Sequence, residues 1–212
     1  MIVNNIIAIV IGYLLGSIPS AYIAARLATG RDIRQMGGGN VGALNTFREV
    51  GRGAGIAVML ADIAKGAAAV AIAYWLLDVP LLFAALAGLA AVTGHMWSVF
   101  LKFSGGKGMA STIGALAVLM PLYGYWQGLL IFLGIILVPI VITHNVALST
   151  GIGLVFLPLV IWLGTKSGLY TILAIILGLI IAIKFLPTAR AAWAKVENKK
   201  DFIFDRGQRD KR

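Results

Sequence analysis

The 212-residue chain has no cysteine and only two histidines, His95 and His144. Disulfides, thiol nucleophiles and cysteine-ligated metals are therefore excluded, and no cluster has metal-ligand spacing. No Gly-x-Ser-x-Gly elbow occurs, which argues against a hydrolase of that type. Charge is scarce as well. Only 12% of the residues are Asp, Glu, Lys or Arg, and just eight of those are acidic.

Apolar side chains fill the space instead. Hydrophobic residues make up 60% of the chain, and the mean hydropathy is +0.94. Apolar runs continue to about residue 186. That is too apolar for a soluble domain and too evenly spread for a signal peptide with a soluble body. The stretch 2–25 has no basic start and exceeds a signal-peptide core in length, so it reads as a retained helix. The expected fold class is an all-α integral membrane protein, a polytopic bundle of about seven transmembrane helices. The expected spans are 3–25, 53–77, 79–101, 109–121, 126–142, 146–164 and 168–187. Pro121 and Gly124 divide 109–142 into two of these; one kinked helix there, giving six spans, is the alternative.

The net charge is +10. In a soluble protein that would point to nucleic acid. Here it follows the positive-inside rule and the attraction of anionic lipid headgroups, so no nucleic-acid partner is expected. Arg26, Arg31, Arg34, Arg48 and Arg52 crowd the first loop, Lys102 and Lys107 a later one, and eight Lys or Arg follow Pro187. Seven spans bring all three groups to one side. That side should be the cytoplasm, with the N-terminus outside and Lys166 a single exception. Residues 1–187 then form the transmembrane domain. Residues 188–212 form a basic tail whose Trp193, Phe202 and Phe204 mark an interfacial segment. In the first span, Gly12, Gly16 and Ser20 recur every four residues, a spacing that lets backbones approach closely. Pro19 should bend that helix and free a carbonyl, which a membrane tolerates only inside protein or beside water.

Three polar clusters interrupt the apolar background. The first is RDIRQMGGGNVGALNTFREVGRGAG, residues 31–55. Consecutive glycines let backbone N–H groups converge on an anion. Asn40 and Asn45 offer amide donors, and Arg48 offers a bidentate phosphate grip. The same composition also fits a flexible cytoplasmic loop with topology arginines. The second is FSGGKGMAS, residues 103–111, where Gly105, Gly106 and Gly108 surround Lys107 just before an expected helix. Backbone donors at a helix start and one ammonium make a phosphate cradle, although the spacing is not that of a Walker A loop. His95 precedes it; it reads equally as an interfacial hydrogen-bonding residue. The third is LADIAKGA, where Asp62 and Lys65 share one face of a span. Charges inside a span face a pocket or each other. The pair is either purely structural or also shapes a site.

Together, LLGSIPSAYIAARL, GGGNVGALNTFREVGRGAG, LADIAKG and GHMWSVFLKFSGGKGMAS resemble the PlsY-type glycerol-3-phosphate acyltransferases of bacteria, in order and spacing, from about residue 10 to 115. The resemblance implies transfer of a fatty acyl group from acyl phosphate to the 1-hydroxyl of glycerol 3-phosphate at the cytoplasmic face of the inner membrane. The products are lysophosphatidic acid and phosphate, and no cofactor or metal is implied. It assigns Asn45, Arg48, His95 and Lys107 to catalysis. Gly39, Asn40, Gly42, Gly105, Gly106 and Gly108 go to phosphate binding, and Asp62 and Lys65 are added to that group because a charge pair within a span is read here as shaping the site. The chain departs from the family pattern in two motifs. A family serine is Gly38 here, and the histidine and asparagine of a motif after the last span are Phe185 and Thr188, with only Glu197 matching. His144-Asn145 lies in an earlier loop, expected on the same side. Two other readings remain: a catalytically weak paralog that binds acyl phosphate or lipid precursors, and a transporter of small anions or lipids. Transport calls for polar residues through the membrane centre, and the last three spans have almost none.

Overall fold

The computed structural model describes residues 2–193, and among them the regular structure is helical. Four stretches are long and apolar enough to cross a membrane: Ile2–Thr29, Arg52–Leu76, Val146–Thr165 and Gly168–Pro187. Leu81–Met96, Met109–Leu122 and Gln127–Thr143 are shorter apolar helices. The expected tail from residue 194 on, with Glu197, Phe202 and Phe204, lies outside the described residues.

The breaks fall where the sequence places breakers. The first stretch divides into α1 (Ile2–Ser17) and α2 (Ser20–Thr29), because Pro19 has no N–H to continue the ladder. Region 109–142 forms two helices, α6 (Met109–Leu122) and α7 (Gln127–Thr143), separated at Gly124 in a left-handed conformation. The third expected span is too long. Helix α5 (Leu81–Met96) stops at Met96, and Val99–Leu101 forms a separate 3-10 turn. Tertiary hydrogen bonds win over apolar periodicity there: Tyr13 donates to the Trp97 carbonyl at 2.7 Å, and Ser98 Oγ donates to the Ser17 carbonyl at 2.5 Å. The first loop holds a short helix that periodicity did not reveal, α3 (Ala43–Glu49). Helix α4 (Arg52–Ala71) continues into a π-helical turn, Ile72–Leu76.

The described residues form two compact units, one running to Leu122 and the other starting at Tyr123. In the first, α1 packs on α5 and α4 on α6. Both contacts depend on bare glycine backbone. A Cβ on Gly16 would fall on the Ala91 carbonyl of α5, and one on Gly114 would fall on the Ile63 carbonyl of α4. This is the close approach expected from the small-residue spacing in the first span. In the second unit, α7 packs on α8 (Val146–Thr165) and α8 on α9 (Gly168–Trp193). Gly153 of α8 faces Phe132 and Ile136 of α7. His144 closes α7 in a left-handed conformation, and Asn145 caps α8 by accepting from the Leu148 N–H at 3.0 Å. Large apolar side chains such as Ile131, Val155, Leu179 and Ile183 cover the exposed surface, as a lipid solvent requires.

The two kinds of glycine should respond differently to substitution. Gly16→Val forces α1 off α5 and should destabilise by roughly 1–3 kcal/mol or more. Gly134→Ala, with open space around its Cα, should leave the melting temperature in detergent within about two degrees of the parent. Equal melting temperatures for all three proteins would refute the close α1–α5 packing.

Candidate active site

The site is built around the break in the first span. Ile18 and Pro19 interrupt helical hydrogen bonding, and the chain meets α4 and α5 at that point. Asp62 and Lys65, one helical turn apart on α4, both face it. Lys65 Nζ donates to Asp62 Oδ1 at 2.9 Å and to the Ile18 carbonyl at 2.9 Å. The lysine thus serves a backbone carbonyl at the proline break. Ser20 Oγ, in the first turn of α2, donates to the same Asp62 oxygen at 2.9 Å. His95 Nδ1 lies 3.5 Å from it. Asp62, Lys65 and His95 are only 2%, 7% and 7% exposed. A buried carboxylate needs several donors, and Asp62 Oδ1 faces three.

The glycine loop closes on this cluster from the other side. Gly106 N–H donates to the His95 carbonyl at 3.0 Å. A Cβ on Gly106 would overlap His95 Nε2 and sit 2.6 Å from the Val41 carbonyl oxygen. The loop therefore lies flat against the imidazole on one side and the first glycine-rich segment on the other. Only a residue without a side chain fits. Lys107 follows, half-buried, and burial pushes its ammonium below the ordinary lysine range. Ser20, Asp62, Lys65, His95, Ser98 and Gly105 line a cleft at this point.

The first glycine-rich segment is pinned rather than loose. Ile33, Met36 and Val41 are buried against Ala21, Ala25 and Val58. Asp32 accepts from the Arg34 N–H and pairs with its guanidinium at 2.6 Å, which holds the Asp32 carboxyl below the usual carboxylate range. Asn45, on α3, receives the Gly38 N–H at 3.2 Å and donates to the Met36 carbonyl at 3.0 Å. Its amide is thus occupied in folding the loop. Gly39 is left-handed, Gly42 precedes α3, and Asn40 is half-buried beside Gly42. Arg48 is exposed on α3.

Of the residues singled out from sequence, Asp62, Lys65, His95, Gly105 and Gly106 come together. Asn40, Gly42 and Asn45 join them through the segment that carries Val41. Arg48 and Lys107 do not line the cleft. Ser20 and Ser98 do, and sequence reasoning missed both. The signal for Ser20 was its place after the proline. Ser98 had no such signal, because its role depends on a turn inside an apolar run. Phe185 is half-buried on α9, in the second unit.

The family model for glycerol-3-phosphate acyltransferases matches residues 6–195. The chain belongs to that family. It is a membrane acyltransferase of phospholipid biosynthesis that acylates glycerol 3-phosphate. One similar relative, glycerol-3-phosphate acyltransferase 1 of Dehalococcoides mccartyi, is 50% identical over 202 residues, 95% of this chain and 97% of its own. The glycerol-3-phosphate acyltransferase of Synechococcus is 36% identical over 85% of this chain and 88% of its own. The fold is similar to crystal structures of PlsY, an integral membrane glycerol 3-phosphate acyltransferase. Its glycerol 3-phosphate form aligns at a TM-score of 0.80 and 28% identity, over 90% of this chain and 92% of that one. Its lysophosphatidic acid form aligns at 0.76 and 26% over the same shares.

Removing one member of the buried charge pair should be costly. Lys65→Met leaves the Asp62 carboxylate with neutral or distant donors and should destabilise by about 3–5 kcal/mol. Lys65→Met combined with Asp62→Asn should recover part of that loss. Thermal unfolding in detergent reads both, and a Lys65→Met protein as stable as the parent would refute the pairing.

Proposed function

We propose that the acyl donor is acyl phosphate and that the acyl group passes to the 1-hydroxyl of glycerol 3-phosphate. The three shorter apolar helices complete seven spans, with the basic loops and the site at the cytoplasmic face of the cell membrane. The observation that carries this reading is the meeting at Gly106. Two glycine-rich segments, far apart in sequence, touch there through bare backbone, with Lys107 next in the chain. Both substrates bring a phosphate, and two phosphates repel. Gly39 and Gly42 spend their N–H groups on the Met36 and Asn40 carbonyls and so hold the segment's shape; the N–H groups of Gly105 and Gly108, the amide of Asn40, and the cations Arg48 and Lys107 offset that repulsion. Asn45 shapes the segment from which these donors project.

The chemistry needs no protein nucleophile. An acyl phosphate is a mixed anhydride. The 1-hydroxyl oxygen attacks the acyl carbonyl carbon, the bond from that carbon to the phosphate oxygen breaks, and inorganic phosphate leaves. The departing phosphate takes the hydroxyl proton, so lysophosphatidic acid and hydrogen phosphate balance the equation. The protein supplies positioning and charge stabilisation. The acyl chain lies among lipid-exposed apolar side chains.

Purified protein given acyl phosphate and labelled glycerol 3-phosphate should form labelled lysophosphatidic acid. Arg48→Ala and Lys107→Ala should each lower kcat/KM by at least about 100-fold. Failure of acyl phosphate alongside success of another acyl donor would overturn the donor assignment. Lys107 also sets a pH dependence. Its folded pKa is lowered, so its charge is lost at a lower pH than for an ordinary lysine. The KM for glycerol 3-phosphate should therefore climb on the alkaline side before pH reaches that range. Lys107→Arg, always charged, should abolish that climb. An alkaline limb unchanged in Lys107→Arg would assign it elsewhere.

Gly38 supports a slower catalyst than serine-bearing relatives. Open space surrounds it, and its φ is not in the left-handed region. Gly38→Ser should fold normally and raise kcat, and an unchanged kcat would show that no hydroxyl is missing.

A further inference from the structure

The reaction described above gives Asp62, Lys65 and His95 no chemical step, yet they form a buried cluster of titratable groups beside the site. Their contacts run in a continuous line. Lys65 holds the Ile18 carbonyl at the proline break, and Asp62 holds Lys65 and Ser20. His95 Nδ1 faces Asp62, and the opposite edge of the ring, Nε2, faces the Cα of Gly106. The His95 carbonyl accepts from the Gly106 N–H. The imidazole is thus held on both edges, by a carboxylate and by the backbone of the glycine loop. A general base would need its free nitrogen turned toward a substrate hydroxyl. Here that nitrogen is turned toward a glycine.

We propose that His95 is a positioning residue: Asp62, itself fixed by Lys65 and Ser20, orients the ring, and the ring is the wall that fixes the glycine loop carrying Lys107. This departs from the sequence expectation, which gave His95 to catalysis and Asp62 and Lys65 to phosphate binding. It ties the shape of the phosphate-holding loop to the break in the first span. A substitution at the break therefore reaches the loop through one chain of contacts. The inference rests on the reading of that loop as the phosphate holder.

The test separates KM from kcat. His95→Asn keeps an amide N–H where Nδ1 stands and removes the edge that meets Gly106. Its KM for glycerol 3-phosphate should rise about tenfold, with the donor KM and kcat each within about threefold of the parent. A kcat loss of about 100-fold or more at an unchanged KM would make His95 an acid–base catalyst and overturn the proposal. Unchanged kinetics would overturn it as well. Asp62→Asn leaves the ring but loosens its tether, so it should raise the same KM. The double variant should show the KM of one single variant, not the product of both. If His95→Asn does not fold, the Asp62→Asn split alone decides: a raised glycerol 3-phosphate KM supports the proposal, and a loss confined to kcat refutes it. Lys107→Ala is the control for the underlying reading. If that variant keeps a normal KM for glycerol 3-phosphate, the loop is not the phosphate holder, whatever His95 does.

Discussion

A charge buried in a membrane span must be answered by other groups, and Asp62 is the charge from which the rest of the first unit is arranged. Water cannot solvate it there, so protein must. Its Oδ1 faces an ammonium, a hydroxyl and an imidazole, which come from α4 itself, from α2 and from α5. The hydroxyl fixes α2 and the imidazole fixes α5 relative to α4. The ammonium has a second task, because the proline break exposes a carbonyl that lipid cannot satisfy. The break and the buried pair therefore solve each other's problem.

Glycine does two kinds of work around this centre. Along the helices, Gly16 and Gly114 bring α1 onto α5 and α6 onto α4, near enough for short polar side chains to reach across. Without that proximity, Ser98 could not reach the Ser17 carbonyl, nor Tyr13 the Trp97 carbonyl. In the glycine loop, Gly106 admits the edge of an imidazole. The first use is ordinary membrane helix packing. The second brings a loop into register with a polar cluster. That distinguishes a site from a seam.

Much of this was legible in the residues. Apolar length gave most of the helical segments, Pro19 marked the break, and the three-residue spacing of Asp62 and Lys65 gave their shared face. The unread parts are those in which tertiary contact overrides a local pattern. The run from Leu81 through Leu101 is apolar throughout, so nothing local announces that α5 stops at Met96. The stop depends on hydrogen bonds to α1, more than 80 residues away in the chain. Helix α3 was hidden for the opposite reason. Seven residues among glycines and charges carry too short a period to read. Asn45 was singled out as an amide donor for phosphate, but its side chain is engaged by the loop's own backbone. Sequence can mark a polar residue as unusual without saying which way its amide faces.

The acyl phosphate proposed as donor would change what the site has to provide. With a leaving group that is already a phosphate, lowering the barrier depends on where two anions sit and how their charge is offset. A rigid cradle is then worth more than a reactive side chain. The described residues fit that demand. Their polar atoms are mostly committed to one another, in the Asp62 cluster, in the Asn45 clasp and in the Asp32–Arg34 pair. Groups already held in place by protein need little reorganisation during a reaction. A site of the proposed kind needs bare backbone with a fixed wall behind it, and the contact of Gly106 with the His95 ring and the Val41 carbonyl provides both.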